Sequence, residues 1–246
     1  MIFAAIADVH GNHAALEAVL ADIEKLGITD IVNLGDCFSG PLEAGRTARL
    51  LIDRGIPTVR GNHDRALIEE QPDEMGSWEK TIYPQLSPAD LEWLKALPFD
   101  MVFKGVAYCC HGSPAGDLDY WLERILPEGV LHLRARAEIE ALARSIDQPI
   151  MLCGHTHLAR TVQLSDGRLI VNPGSVGCPG WKDDEPVYNQ VDVGHGLAAY
   201  TVLEDTAHGW QVTHRNIRYD AAPMAALARE NGMDRVGNAI ESGWLD

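Results

Sequence analysis

The chain has 246 residues, 46% of them apolar and 23% charged, which is enough for a substantial core and excludes a disordered chain. Its 36 acidic residues against 20 basic ones leave a formal net charge of −16, a surface that repels phosphate backbones and excludes general nucleic-acid binding. A small anionic substrate is still admissible, because bound divalent cations invert the field locally.

In chain order, Ile2 to Ala7 is a short apolar run, expected as a buried strand. The run stops at Asp8 with no basic flank, too short for a signal peptide or a membrane span. No later run reaches that length, so the chain is expected in the cytoplasm. Asn12 is a suitable N-cap for a helix through about Leu26, with Leu16, Val19, Leu20 and Ile23 on one face. Ile31 to Leu34 is a second strand, Glu43 to Arg54 a second helix, and Ile56 to Val59 a third strand. Three strand–loop–helix units in a row predict an α/β fold with a parallel sheet, whose strand ends carry ligands. Asp8, Asp36 and Asn62-His63 all stand at such ends.

Further on, Ser87 to Asp90 starts a helix, and Asp100–Phe103 with Val106–Cys110 forms a hairpin leading into His111. Arg134 to Ser145 is helical, and Pro149 to Cys153 is a strand ending at Gly154-His155-Thr156-His157. Asp166-Gly167 turns the next hairpin, and a last one pairs Gly196–Leu203 with Trp210–Tyr219. The polar run from Gly177 to Gly196 is expected as a loop or cap over 178–195, and 221–246 as C-terminal helices. With no repeat or linker, residues 1–246 are expected to form a single domain.

Five cysteines, none in Cys-x-x-Cys spacing and two of them adjacent, suit reduced thiols and core packing better than a disulfide scaffold.

The chemistry lies in the polar clusters. Asp8 and His10 share an i, i+2 spacing, as do His155 and His157, which in an extended turn points both side chains one way. With Asp36, Asn62 and His111 the inventory is two carboxylates, one amide and four imidazoles, suited to two divalent transition-metal ions (Mn, Fe, Zn or Ni). Two such ions roughly 3.5–4 Å apart would acidify a bridging water and clamp a phosphoryl oxygen. His63 is left over as a proton donor or stabiliser. Arg60 and Arg65 flank it and are weaker candidates for binding a substrate phosphate. Trp181-Lys182 could stack and pair with a nucleotide, although a plain exposed loop accounts for them equally well. The remaining histidines, His13, His132, His195, His208 and His214, are expected at the surface or at caps.

The runs Asp8 to Asn12, Gly35-Asp36, Gly61 to Asp64, His111-Gly112 and Gly154 to His157 together resemble the calcineurin-like metallophosphoesterase superfamily. Asn172 to Gly177 resembles its small bacterial and archaeal phosphodiesterase-like branch. The resemblance implies an α/β/β/α sandwich of mixed sheets. It implies Asp8, His10, Asp36 and His157 around one metal, Asp36, Asn62, His111 and His155 around the other, and His63 as acid or stabiliser. The expected function is hydrolysis of a small phosphorylated substrate by a metal-bridging hydroxide, in a phosphodiesterase or phosphatase with manganese a natural metal. Alternatives are a dinucleoside polyphosphate (phosphoanhydride) hydrolase and, on weaker grounds, a protein phosphatase. A third is a non-catalytic metal-binding scaffold; the retromer subunit of this fold lacks the counterpart of His63, so the presence of that residue favours an enzyme.

Overall fold

A computed structural model describes residues 1–246. Strand β1 (Ile2–Ile6) leads to helix α1 (His13–Lys25), β2 (Ile31–Asn33), α2 (Ala44–Asp53), α3 (Asn62–Glu69), α4 (Ser77–Ile82) and, after one 3-10 turn, α5 (Pro88–Ala96). Strands β3 (Asp100–Phe103), β4 (Ala107–Cys110), β5 (Glu123–Ile125) and β6 (Leu131–Leu133) precede α6 (Arg136–Leu142). The chain continues through β7 (Ile150–Leu152), β8 (Arg160–Gln163), β9 (Leu169–Asn172), β10 (Gly180–Asp183), β11 (Asn189–Asp192), β12 (Ala198–Thr206) and β13 (Gly209–Ile217), and closes with α7 (Ala222–Glu230) and α8 (Asp234–Ser242).

Two sheets pack face to face. One has the order β13-β12-β1-β2 and the other β3-β4-β7-β9-β8. Alternation along β1 sets the layers: Phe3 and Ala5 face the second sheet and meet Phe103, Ile150 and Leu152, whereas Ala4 and Ile6 face α1 and α2. On the far side Met151 and Ile170 pack against Ile139 of α6 and the buried Trp121. The result is an α/β/β/α sandwich of mixed sheets. Adjacent Cys109 and Cys110 fall on opposite faces of β4, in different cores, and all five cysteines are buried and free.

Local chemistry explains the helix starts. The Asn12 side chain accepts from the Ala15 amide at 3.1 Å, and Ser87 and Asp90 form a reciprocal capping box with Pro88 in the first turn. Three expectations need correction. Ile56–Val59 is no full strand but makes a single parallel bridge, Thr58 to Asn33, so the full parallel strands of this sheet are β1 and β2, with β12 antiparallel on the other side of β1. The helix expected over Arg134–Ser145 is confined to Arg136–Leu142. The segment expected as a loop over 178–195 contains the β10–β11 hairpin, whose inward contacts are carried by Gly180, Asn189 and Val191. Too few apolar residues lie there for a period-two pattern to stand out.

Candidate metal centre

The loop after each central strand bends through left-handed backbone. Asp8, His10, Asp36, His155 and His157 are five of the six non-glycine residues with positive φ, between 49° and 70°. The extended turn expected at Asp8-Val9-His10 is therefore replaced by a compact loop that brings both side chains inward. Left-handed backbone costs about 1–2 kcal/mol per non-glycine residue. Five together approach the ~5–15 kcal/mol net stability of an ordinary domain, so the surroundings must hold them.

They do so with hydrogen bonds. The buried Asp64 carboxylate accepts the amides of Asp36, Cys37 and Gly61 at 2.9, 2.9 and 3.0 Å. Ser175 Oγ donates to the Asp8 carbonyl at 2.8 Å, and Asn172 Nδ2 donates to the Gly154 carbonyl at 2.7 Å. A side chain at Gly177 would collide with the Val9 carbonyl, and one at Gly61 with the Asp36 carboxylate. The Asn172–Gly177 motif thus braces both ligand loops.

All seven expected ligands converge. Asp8, His10 and His157 form one group and Asp36, His111 and His155 another, the ligand atoms within each lying within 4.8 Å of one another. Asp36 Oδ2 stands between them, 3.8 Å from His10 Nε2 and 3.2 Å from His111 Nε2. Asn62 Oδ1 is 3.0 Å from His111 Nε2.

The electrostatics fit cations. Nδ1 of His10, His111 and His157 donates to the carbonyls of Ser39, Leu34 and Cys178 at 2.8, 2.8 and 2.5 Å, which leaves Nε2 of each facing the centre. Burial lowers His10 to about 4 and His155 to about 3, and holds His157 well below its ordinary range, so these rings are kept neutral, the form in which an imidazole can bind a metal. The Nε2 atoms of His10 and His157 are only 3.1 Å apart. Two lone pairs at that distance repel unless positive charge lies beside them. Burial opposes the charged form of His111, yet Asp36 and Asp8 raise it to about 10. Burial also raises Asp8, to about 8. Asp36 is held well below the usual carboxylate range: His111, His63 and His10 outweigh its burial. The centre therefore calls for positive charge, which two divalent cations would supply.

His63 lies beside this centre. Its Nδ1 is 2.5 Å from Oε1 of Glu79, a side chain only 5% exposed, and its ring stacks on Trp78 at 5.5 Å with planes 19° apart. Burial opposes protonation of His63, but Asp36 and Glu79 prevail and raise it to about 9. The sequence reading missed Glu79, Trp78 and Asp64. Asp64 belongs to the Gly-Asn-His-Asp run and could have been suspected as a brace, whereas α4 carries no motif of its own. The centre opens into a cavity of about 1290 Å³ whose lining includes His63, Trp78, Glu79, Tyr120 and Trp181.

Other candidates fall elsewhere. Arg60 and Arg65 do not line the cavity: Arg65 is bound to Asp117 at 2.6 Å, and Arg60 lies 3.9 Å from Glu69. Arg65 is thus committed to Asp117, and neither arginine faces the cavity to meet a substrate phosphate there. His13, expected at a surface or cap, is buried at the start of α1, 2.9 Å from Glu43.

A profile of the calcineurin-like phosphoesterase superfamily domain matches residues 1–196. The chain belongs to this superfamily. It is accordingly a phosphoester hydrolase, of a family that uses divalent metals. It is 27% identical to a metallophosphoesterase from Sphaerobacter thermophilus, with a TM-score of 0.76 over 99% of this chain and 100% of that one. A hypothetical protein from Pyrococcus horikoshii OT3 shares the fold, with 21% identity and a TM-score of 0.74 over 98% of each chain. An uncharacterized protein of Methanocaldococcus jannaschii is 26% identical over 204 residues, 72% of this chain and 77% of that protein. No helix is long and apolar enough to cross a membrane.

Proposed function

We propose that this superfamily member is a dinuclear phosphodiesterase. Asp8, His10, Asp36 and His157 would hold one divalent cation, and Asp36, Asn62, His111 and His155 the other, with residues 1–246 acting as one cytoplasmic domain. The observation that carries the reading is the position of Asp36 Oδ2, within 3.8 Å of a histidine from each half of the cluster. Mixed oxygen and nitrogen donors without thiolate favour Mn, Fe, Zn or Ni. When bound, the pair supplies Lewis acidity to a phosphoryl oxygen and lowers the pKa of the attacking water.

The protein's own groups do the rest. Carbonyls of Ser39, Leu34 and Cys178 fix the ligating tautomers of three imidazoles. Asp64 and Ser175 hold the loops in their strained shape. His63, bound through Nδ1 to Glu79, has Nε2 free for the leaving oxygen and delivers its proton there. The cavity extends well past the cluster and leaves room for a second ester substituent, which favours a diester over a monoester.

The test is metal analysis together with turnover of bis(p-nitrophenyl) phosphate, p-nitrophenyl phosphate and a dinucleoside polyphosphate. About two cations per chain and fastest cleavage of the diester are expected. A single cation would remove the dinuclear reading. Faster monoester or anhydride cleavage would reassign the substrate.

A further inference from the structure

The cavity is far larger than a phosphoryl group needs, and its two sides differ. One side is occupied by His63, Trp78 and Glu79. On the other, Tyr120 lies 4.9 Å from the His155 ring and 6.0 Å from Trp181, the two aromatic planes inclined at 57°. Trp181 in turn lies 6.3 Å from the His157 ring. Both aromatics are half-buried, so part of each ring is open to the cavity.

This ledge is rigid. Trp181 Nε1 donates to the Thr156 carbonyl at 3.2 Å, which ties the indole to the loop between His155 and His157. β10, which carries Trp181, is backed by α8: a side chain at Gly180 would crowd the Val191 carbonyl at 3.0 Å and Ala239 of α8 at 3.1 Å. Carboxylates outnumber cations around the cavity, with Asp119, Glu123, Asp183, Glu185 and Asp234 in its lining, but the arginines there are not spent on them. Arg124 of β5, Arg134 and Arg235 of α8 line the same cavity, and none of them forms an ion pair within 4 Å. Arg134 is steadied by its Nε bond to the Glu123 carbonyl at 2.9 Å.

A flat aromatic group has a face and an edge to offer such a tilted pair, and the arginines of the same lining are available to an anionic group in the cavity. We propose that Tyr120 and Trp181 form a nucleobase subsite, and that the phosphoester taken into this cleft is a nucleotide ester. The proposal rests on the reading that this cavity is the reaction site. It adds the class of substrate.

Affinity for AMP and for ribose 5-phosphate, measured calorimetrically on metal-reconstituted protein, tests the ledge itself, since the two differ only in the base. AMP should bind roughly tenfold tighter or more. Trp181→Leu and Tyr120→Leu should each bring the ratio to within about twofold, while Trp181→Phe, which keeps a ring, should retain most of it. Equal affinities in the unmodified protein, or a ratio untouched by both leucine variants, would overturn the subsite. A second pair, thymidine 5′-(p-nitrophenyl phosphate) and ethyl p-nitrophenyl phosphate, shares one leaving group and reports turnover. Preference for the thymidine ester supports the subsite. Cleavage of both esters at one rate without preference for AMP would leave the phosphodiesterase reading standing and remove the ledge. Preference for AMP with neither ester cleaved would keep the ledge and remove that reading.

Discussion

Glu79 Oε1 lies 2.5 Å from His63 Nδ1, so a carboxylate from a helix outside the motifs fixes which nitrogen of His63 is left for the cavity. Glu79→Gln should keep the bound metal and slow turnover. An alkyl phosphodiester, whose alkoxide needs a proton, should suffer more than a p-nitrophenyl ester, whose phenolate leaves unaided. His63→Ala should lose on the order of 10²–10⁴-fold with the alkyl ester. Equal losses for the two leaving groups would recast His63 as an electrostatic stabiliser of the phosphoryl oxygens.

Asp36 approaches both halves of the cluster, whereas Asn62 approaches only His111. Asp36→Asn should therefore release metal from both positions, and Asn62→Ala mainly from one. Elemental analysis after dialysis separates the outcomes: about half of the metal retained in the Asn62 variant, and little in the Asp36 variant.

Asp64 accepts three backbone amides in the loops that carry Asp36 and Gly61. Asp64→Asn turns one acceptor into a donor facing an N–H group. An unsatisfied buried donor costs about 1–3 kcal/mol. The urea midpoint should fall accordingly, and metal affinity should fall with it, because the strained Asp36 backbone loses its clamp.

These residues mark how far the sequence can be read. The candidate ligands are legible because each stands at the end of an apolar run as a polar side chain beside a glycine or at close spacing, as at Asp8-Val9-His10 and Gly154-His155. What supports them is less so. Glu79 reaches His63 only after α4 folds back across the chain, and Trp181 reaches Tyr120 only through the hairpin and α8. Neither contact has a local period or a breaker to signal it. The loop conformation at Asp8 and His10 was beyond propensity altogether, because tertiary bonds impose it against the intrinsic preference of both residues.

Stability should carry a pH signature from Asp22, remote from the centre. Its carboxylate accepts from Tyr200 Oη at 2.6 Å and from Arg215 Nε at 2.8 Å. Burial raises the pKa of Asp22, but the Arg215 and Tyr200 bonds outweigh it and hold it below the ordinary carboxylate value. The contribution is then complete above the unfolded-state pKa of about 3.9 and is lost as pH falls through the lower folded value. Urea midpoints of the parent and Asp22→Asn should differ at pH 6 and converge toward pH 3. A constant difference across that range would show that the bond acts by packing alone.

The first strand also has a place in synthesis. β1 pairs with β2 on one side and, on the other, with β12, Ile2 lying opposite Glu204. A nascent chain emerging from the ribosome thus exposes one edge of its earliest strand until about 200 further residues have followed. Ser175, whose hydroxyl holds the Asp8 carbonyl, itself accepts the Ala199 amide of β12 at 3.0 Å, so this brace is completed only when the last hairpin docks. No motif lies in residues 198–217, yet a chain that stops before them would leave an open sheet edge, a hazard for aggregation, beneath the centre they never touch.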